Sequence, residues 1–299
     1  MDDLFGRDLF GNPIKPPSSG PVAERFTFAP FSVLDAKAGE WQERKRAWSS
    51  VGIRGEVGRD ATTYNVGDYH EANATGTSVF DPVLCEMAYR WWSGRDGQVL
   101  DPFAGGSVRG VVAGLTGRRY WGCDLRPEQI DANREQAITI GVNPRPEWVC
   151  GDSRDTLPGA PPADFVFSCP PYGNLEVYSD RPEDLSAMEW PAFLLAYRAI
   201  IAESVERLRP DRFACFVVGD FRDSRGFYRN FVGETVAAFE AAGARLYNEA
   251  VLLTSVGSAA MRVSKQFTAS RKLCKVHQNV LVFVKGDPKR ATAACGEIR

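Results

Sequence analysis

The sequence contains few of the residues from which metal sites and disulfide frameworks are built. It has two histidines, His70 and His277, and its seven cysteines include no Cys-x-x-Cys pair. Zinc sites need clustered Cys and His ligands, so we expect no metal. The cysteine spacing also predicts no disulfide framework, and we expect the thiols to be reduced, as in a cytoplasm.

Long apolar runs are also missing. No stretch approaches the roughly 20 apolar residues of a membrane span. The first residues have no basic start followed by an apolar run, so no secretory signal is predicted. A composition of 44% hydrophobic and 25% charged residues is typical of a globular chain with one α/β core. We therefore expect a cytoplasmic protein with no membrane partner; the oligomeric state stays open.

The net charge of −2 is unevenly distributed. From Ala250 to Gly286 there is no Asp or Glu, but there are six basic residues: Arg262, Lys265, Arg271, Lys272, Lys275 and Lys285. A smaller basic cluster, Arg44 to Arg46, lies between Trp41 and Trp48. Each cluster is compatible with a solvated charged face or with a nucleic-acid contact.

Composition divides the chain into three parts. Residues 1–24 are rich in turn and linker residues and are predicted to be a disordered tail. Residues 25–75 form an N-terminal extension with a helix at about Gly39 to Trp48. Residues 76–290 form the main domain, with a short basic insertion at about 254–277.

The main domain alternates strands with helices, which predicts a doubly wound, mostly parallel sheet covered on both faces. Its last two strands suggest an antiparallel edge. The predicted strands are 98–101, 119–124, 147–152, 164–167, 213–218, 246–253 and 279–284, and the predicted helices include 82–92, one that begins between Ser186 and Pro191, and 230–242.

Acidic residues end three successive strands: Asp101, Asp124 and Asp152. Ligands of open α/β sheets lie beyond the carboxyl ends of the strands, and Asp124 follows Asp101 by 23 residues, close to the spacing at which an acid binds a cofactor ribose. The glycine turn from Ala104 to Gly110 lies between these two acids. The alternative is a tight turn with ordinary acids at strand ends.

The fourth strand runs directly into Cys169-Pro-Pro-Tyr172. Pro170 and Pro171 have no N–H groups, so only their carbonyls can hydrogen bond. Such acceptors suit an amino group on a nucleobase, and Tyr172 is placed to stack on the ring. A purely structural proline turn is the alternative.

These segments carry a family resemblance. Asp101-Pro-Phe-Ala-Gly105 resembles the cofactor motif of the amino DNA methyltransferases, and Cys169-Pro-Pro-Tyr172 resembles their catalytic tetrapeptide. Ser78-Val-Phe-Asp-Pro82 is similar to the segment that encloses the methionine end of the cofactor. The resemblance covers roughly residues 76–286 and is strongest to phage-encoded N4-cytosine or N6-adenine methylases. It implies a Rossmann-like class I fold, S-adenosylmethionine as cofactor and a location in a bacterial or phage-infected host cell.

The resemblance also implies roles for individual residues. Asp101 would hold the methionine amino group, Asp124 the ribose hydroxyls and Asp152 the adenine amino group. The implied cofactor site is Ser78, Phe80, Asp81, Asp101, Pro102, Phe103, Gly105, Gly106, Asp124, Leu125, Asp152 and Ser153. The implied catalytic group is Ser168, Cys169, Pro170, Pro171 and Tyr172.

Two residues depart from the family pattern. Ser107 stands at the second expected glycine of the turn, and Cys169 stands where Asp, Asn or Ser is expected. Because a thiol is a weak acceptor, either Ser168 compensates, or the carbonyls hold the target amine, or the chemistry differs. Three alternatives therefore stay open: cytosine C5 methylation with Cys169 as nucleophile, an RNA, protein or small-molecule amine as substrate, and an inactive DNA- or cofactor-binding module.

DNA is the expected partner, with the target base flipped from a duplex or taken from a single strand. The sequence favours neither adenine nor cytosine. We expect residues 257–266 to form a loop along phosphates, and the predicted DNA contacts are Arg262, Lys265, Arg271, Lys272 and Lys275. Residues 173–181 are a second candidate for a substrate-side loop.

Overall fold

The computed structural model describes residues 21–54, 80–173, 181–254 and 259–298. These residues contain one sheet of eight strands in the order β1-β7-β8-β6-β5-β2-β3-β4. The strands are β1 (Val33–Asp35), β2 (Gln98–Asp101), β3 (Arg119–Asp124), β4 (Glu147–Cys150), β5 (Ala163–Ser168), β6 (Leu208–Val218), β7 (Arg245–Leu253) and β8 (His277–Lys285).

The sheet is mostly parallel, as the alternation of strands and helices predicted. The pairs β2–β3, β3–β4, β2–β5, β5–β6 and β1–β7 are parallel, whereas β8 runs antiparallel to both β6 and β7. The predicted antiparallel pairing is therefore present on this side of the sheet. The order β4-β3-β2-β5-β6 is that of a Rossmann-like, doubly wound sheet, and the strand order reverses between β2 and β5.

Helices cover both faces of the sheet. They are α1 (Pro21–Phe26), α2 (Gly39–Ser50), α3 (Pro82–Trp92), α4 (Val108–Leu115), α5 (Pro127–Ile140), α6 (Ser153–Thr156), α7 (Trp190–Arg207), α8 (Phe231–Ala241), α9 (Ala259–Ser270) and α10 (Pro288–Cys295). Residues of α2, α3, α4, α5 and α10 share one apolar core, and residues of α7 and α8 share the other.

The strands supply both cores by alternation. In β5, Phe165 and Phe167 enter the core with α3 and α4, whereas Val166 enters the core with α7 and α8. Successive side chains of a strand point to opposite faces, so a strand covered on both sides is apolar throughout. This explains the short apolar runs that ended in acids in the sequence.

Two elements, α1 and α9, differ from the sequence predictions, whereas α7 begins within its predicted range. Helix α1 begins at Pro21, inside the predicted tail, of which residues 1–20 lie outside the described residues. Helix α7 begins at Trp190 after Glu189, whereas Ser186 lies in a 3-10 turn in which its hydroxyl donates to Asp184. The predicted phosphate-contacting loop is partly helical, since α9 begins at Ala259, where Ala, Met, Lys and Gln favour a helix.

The N-terminal extension is part of the main fold. Strand β1 pairs with β7 at the edge of the sheet, and Trp41 and Trp48 of α2 are buried in the core that contains α3. Indole N–H groups of these residues donate to Asp81 (3.2 Å) and Glu86 (2.8 Å), respectively. Of the helices in the described ranges, none is both long and apolar enough to cross a membrane.

Candidate active site

A cavity of about 380 Å³ opens beyond the carboxyl ends of β2, β3, β4 and β5. It lies where the strand order reverses, which is the usual ligand position in a doubly wound sheet. Its volume lies within the range of small-molecule sites. The predicted residues in its wall are Phe80, Asp81, Pro102, Phe103, Gly105, Gly106, Asp124, Leu125, Asp152, Ser153, Cys169, Pro170, Pro171 and Tyr172. Ser78 lies outside the described residues.

Asp101 is not among the residues that line this cavity, and its role in holding the methionine amino group stays a prediction. Its side chain is fully buried and accepts hydrogen bonds from Tyr120 Oη (2.7 Å), Ser168 Oγ (2.5 Å) and the backbone N–H of Phe103 (3.2 Å). Nε of Arg109 lies 2.5 Å from its carboxylate. These four donors occupy both carboxylate oxygens. Asp101 therefore holds together residues next to the cavity without lining the cavity itself.

Arg109, the ion-pair partner of Asp101, lines the cavity. Its guanidinium also donates to the carbonyls of Phe103 and Ala104, and it lies 4.6 Å from the ring centroid of Phe80. Burial acts to lower the pKa of Arg109, but the Asp101 carboxylate raises it well above its usual value, so the side chain stays protonated. Arg109 was not predicted as a site residue, although an arginine in the first turn of an otherwise apolar helix is a signal for one.

Asp124 ends β3 and lines the cavity. One carboxylate oxygen accepts from the N–H of Gly105 (3.1 Å) and the other from the N–H of Arg126 (2.9 Å). The Arg126 guanidinium also lies near this carboxylate, with Nε 3.7 Å from Oδ1, so these contacts orient Asp124 at the cavity edge. Gly106 lines the cavity next to it, and a Cβ added there would meet no atom within 4 Å.

Asp152 follows β4 and caps α6. Its carboxylate is held by Arg154, whose Nη2 lies 2.5 Å from Oδ2 and whose Nε donates to both oxygens. The side chain is 8% exposed. Asp152 is therefore less available to a ligand than Asp124.

Ser107, the departure in the glycine turn, is buried and has a structural role. Its hydroxyl donates to the side chain of Gln136 (2.5 Å), and it precedes α4. Gly105 has a φ of +50°, a conformation that favours glycine. The amide of Asn133 donates to the Gly105 carbonyl (2.8 Å) and fixes the turn. A serine at this position therefore leaves the cavity wall intact.

Cys169 and Tyr172 lie together in the wall, with the thiol 3.7 Å from the phenol oxygen. The Gln278 amide donates to that oxygen (2.6 Å). Ser168 is fully buried, and its hydroxyl is bound to Asp101. Ser168 does not line the cavity, and its suggested compensation for the weak acceptor at Cys169 stays a prediction.

The ring of Tyr172 packs against the aromatic residues that follow β6. Its centroid lies 6.5 Å from that of Phe221 and 6.1 Å from that of Phe231. Gly173, which follows at a φ of +54°, approaches Phe221 so closely that an added Cβ would lie 2.9 Å from the ring. The position of the Tyr172 ring is thus fixed by its contacts with Phe221 and Phe231. Residues 174–180 of the predicted substrate-side loop lie outside the described residues.

Two of the three residues in the small basic cluster of the extension, Arg44 and Lys45, form ion pairs within the fold. Arg44 donates through two nitrogens to the buried carboxylate of Glu86, and Lys45 lies 3.2 Å from Asp81. Lys45 and Gln42 line the cavity. Arg44 is therefore not available as a DNA contact, and α2 instead forms one wall of the site. No residue spacing in the sequence predicts this wall.

The predicted DNA contacts lie around and after α9. Lys265 and Arg271 are exposed, whereas Lys272 and Lys275 are half-buried. Burial lowers the pKa of Lys275, and the nearby Asp220 acts to raise it. The side chain of Arg262 lies outside the described residues. Nor do the described parts of the chain contain a group of three or more His, Cys, Asp or Glu residues that could hold a metal ion.

No family model matches the chain. It is similar to TrmN from Thermus thermophilus, with 18% identity, a TM-score of 0.47, and coverage of 71% of this chain and 51% of that one. It is also similar to a TehB-like SAM-dependent methyltransferase from Corynebacterium glutamicum (19% identity, TM-score 0.43, 71% and 91% covered). A third is the magnesium protoporphyrin IX methyltransferase of Synechocystis with bound SAM (12% identity, TM-score 0.42, 64% and 71% covered). The match thus spans about half the length of TrmN.

Proposed function

We propose that this chain is an S-adenosylmethionine-dependent methyltransferase that methylates the exocyclic amine of a DNA base, at N6 of adenine or N4 of cytosine. One observation carries the proposal. A single cavity is lined both by the turns after β2, β3 and β4 and by Cys169-Pro-Pro-Tyr172 after β5. The two motifs that resemble the amino DNA methyltransferases are thus within reach of one bound cofactor and one bound base.

The nucleoside end of the cofactor is assigned to the turns after β3 and β4. Asp124 lines the cavity and would hold the ribose hydroxyls. Leu125 and Phe103 would contact the adenine, since both line the cavity. Asp152 would reach the adenine amino group only with an acceptor position that Arg154 does not occupy.

The methionine end is assigned to the part of the wall formed by α2, the start of α3 and α4. Because Asp101 is buried, the charged groups in this wall are Asp81, Lys45 and Arg109. Asp81 would accept from the methionine amino group, and the two cations would hold the methionine carboxylate. The cofactor supplies an electrophilic methyl group on its sulfonium.

The base is assigned to the Cys169–Tyr172 loop. Tyr172 would stack on it, and the carbonyl of Pro170 would accept one hydrogen of the amine. The rate enhancement would come from holding the amine in line with the methyl group and from acceptors aimed at it. Cys169 would act at most as a weak acceptor, so no bond to the base is required.

Methyl transfer from labelled S-adenosylmethionine to DNA tests the proposal. Wild type should label DNA, and Tyr172→Ala should lose roughly 5- to 100-fold in transfer because a stacked base is lost. Tyr247→Ala is a matched control, since Tyr247 is 49% exposed on β7. Labelling of RNA or protein but not of DNA would reject the DNA substrate.

A further inference from the structure

A hairpin that the sequence analysis did not single out follows β6. We call residues 221–229 the arginine–aromatic hairpin. Arg222 and Tyr228 form an antiparallel bridge, and the N–H of Asp223 donates to the Phe227 carbonyl (2.9 Å). The side-chain carboxylate of Asp223 also accepts from the N–H of Phe227 (2.9 Å). These bonds close a short hairpin whose shape does not depend on its exposed side chains.

The hairpin presents large rings and arginines to solvent. Phe227 is 68% exposed and Tyr228 is 46% exposed. The Arg222 guanidinium lies 3.9 Å from the centroid of Tyr228, and that of Arg225 lies 5.7 Å from that of Phe227. Rings for stacking and cations for phosphates are the combination that binds nucleic-acid strands. A solvated charged face would not need the rings.

The position of the hairpin relates it to the cavity. Phe221, at its base, packs against Tyr172 and Gly173. At its tip, Gly226 lies so close to Lys272 that an added Cβ would be 2.3 Å from Nζ. The hairpin therefore lies between the Cys169–Tyr172 loop and the basic residues that follow α9.

The one acid of the hairpin, Asp223, and the preceding Asp220 both have partners within the fold. The hydrogen bond from Phe227, against the effect of burial, holds the pKa of Asp223 below its usual value, and Arg225 adds to this. Asp220 accepts from the N–H of Val232 (3.2 Å). The charge at the exposed tip of the hairpin is therefore mainly that of the arginines and of the neighbouring Lys272.

We propose that the arginine–aromatic hairpin binds the DNA strand next to the target base, with Phe227 and Tyr228 stacking on flanking bases and Arg225 contacting a phosphate. This rests on the proposed function and extends it to the substrate strand. Arg222 donates to the Gly226 carbonyl (2.9 Å) and holds Tyr228, so it positions the stacking surface.

The test is fluorescence anisotropy with a labelled mixed-sequence DNA oligonucleotide at several salt concentrations. The variant Arg225→Gln/Phe227→Ala removes two exposed side chains. We expect this variant to bind the oligonucleotide roughly 5- to 100-fold more weakly. The slope of log affinity against log salt concentration should become shallower by about 0.7–0.9, because one phosphate contact is lost. The control variant is Phe31→Ala/Arg145→Gln, which removes an exposed Phe (71%) before β1 and an exposed Arg before β4.

The outcomes separate this inference from the proposed function. An unchanged affinity and salt slope in the hairpin variant, with wild type binding and methylating DNA, would overturn the hairpin's role alone. A loss seen only with an RNA oligonucleotide of the same sequence would also overturn it. Absence of methyl transfer to DNA by wild type would reject the proposed function itself. Unchanged cofactor affinity and thermal midpoint in the variant would show that it is folded.

Discussion

The hydroxyl of Ser168 donates a 2.5 Å hydrogen bond to Asp101 and thereby joins the ends of β5 and β2. These are the neighbouring strands between which the strand order reverses. The same carboxylate binds Arg109. The buried acid therefore connects the loop that carries Cys169 and Tyr172 to Arg109, a cation that also lines the cavity, although Asp101 itself does not line it.

Substitution of Asp101 should cost stability. Asp101→Ala would leave the buried charge of Arg109 without its partner, which typically costs about 3–5 kcal/mol. Urea unfolding measures this as a lower midpoint. A midpoint equal to that of wild type would show that the ion pair does not hold this part of the fold.

Asp124→Ala should weaken cofactor binding more than it lowers stability. Its carboxylate orients two backbone N–H groups at the cavity edge but is not enclosed in the core, so the urea midpoint should change by less than for Asp101→Ala. Titration calorimetry should show weaker S-adenosylmethionine binding, by about tenfold or more for two lost charge-assisted hydrogen bonds. Unchanged cofactor affinity would remove the ribose role from this residue.

Glu86 should make stability depend on pH. Burial acts to raise its pKa, but the hydrogen bond and charge of Arg44, with Arg90 and Trp48, lower it below the usual value. A carboxylate whose pKa is lower in the folded protein contributes stability that is present above the unfolded pKa of about 4.3 and is lost as pH falls through the folded value.

The variant Glu86→Gln tests this contribution. At pH 7 it should unfold at lower urea, by roughly 3–5 kcal/mol in the free energy of unfolding, because Arg44 and Arg90 lose their charged partner. The difference from wild type should shrink below about pH 4. A difference that is constant across this range would contradict the assignment. Glu43→Gln, an exposed change on α2, is the control.

Cys169 distinguishes amine methylation from a covalent mechanism. If the base is held by carbonyls and by Tyr172, Cys169→Ser should keep its activity or gain some, since a hydroxyl is the better acceptor. If the thiol attacks the ring, Cys169→Ser should be nearly inactive. DNA containing 5-fluorocytosine should form no covalent adduct on a denaturing gel; an adduct that depends on Cys169 would favour C5 methylation.

The sequence predicted the parts of the site that follow from strand order. Parallel strands bring their carboxyl ends to one edge, so Asp124, Asp152 and Cys169 to Tyr172 were expected to meet, and all line the cavity. The orientation of Asp101 was not predictable, because it depends on Tyr120, Ser168 and Arg109, donors from three other elements.

Elements distant along the chain were also missed. Lys45 reaches the cavity because Trp41 and Trp48 anchor α2 against the start of α3, a tertiary contact without a local signal. The arginine–aromatic hairpin was missed because Arg225, Phe227 and Tyr228 are exposed, and exposure cannot be derived from periodicity in so short a segment. Its alternation of Arg with Phe and Tyr was visible, but a loop of this composition has no characteristic spacing.

The most direct test of the central claim is the identity of the methylated base. Purified protein is incubated with DNA and S-adenosylmethionine, the DNA is digested to nucleosides, and these are separated and weighed by mass spectrometry. We predict a new N6-methyladenine or N4-methylcytosine nucleoside that is strongly reduced with Tyr172→Ala. A product that is only 5-methylcytosine, or an absence of any methylated nucleoside with active, cofactor-binding protein, would contradict amine methylation of DNA.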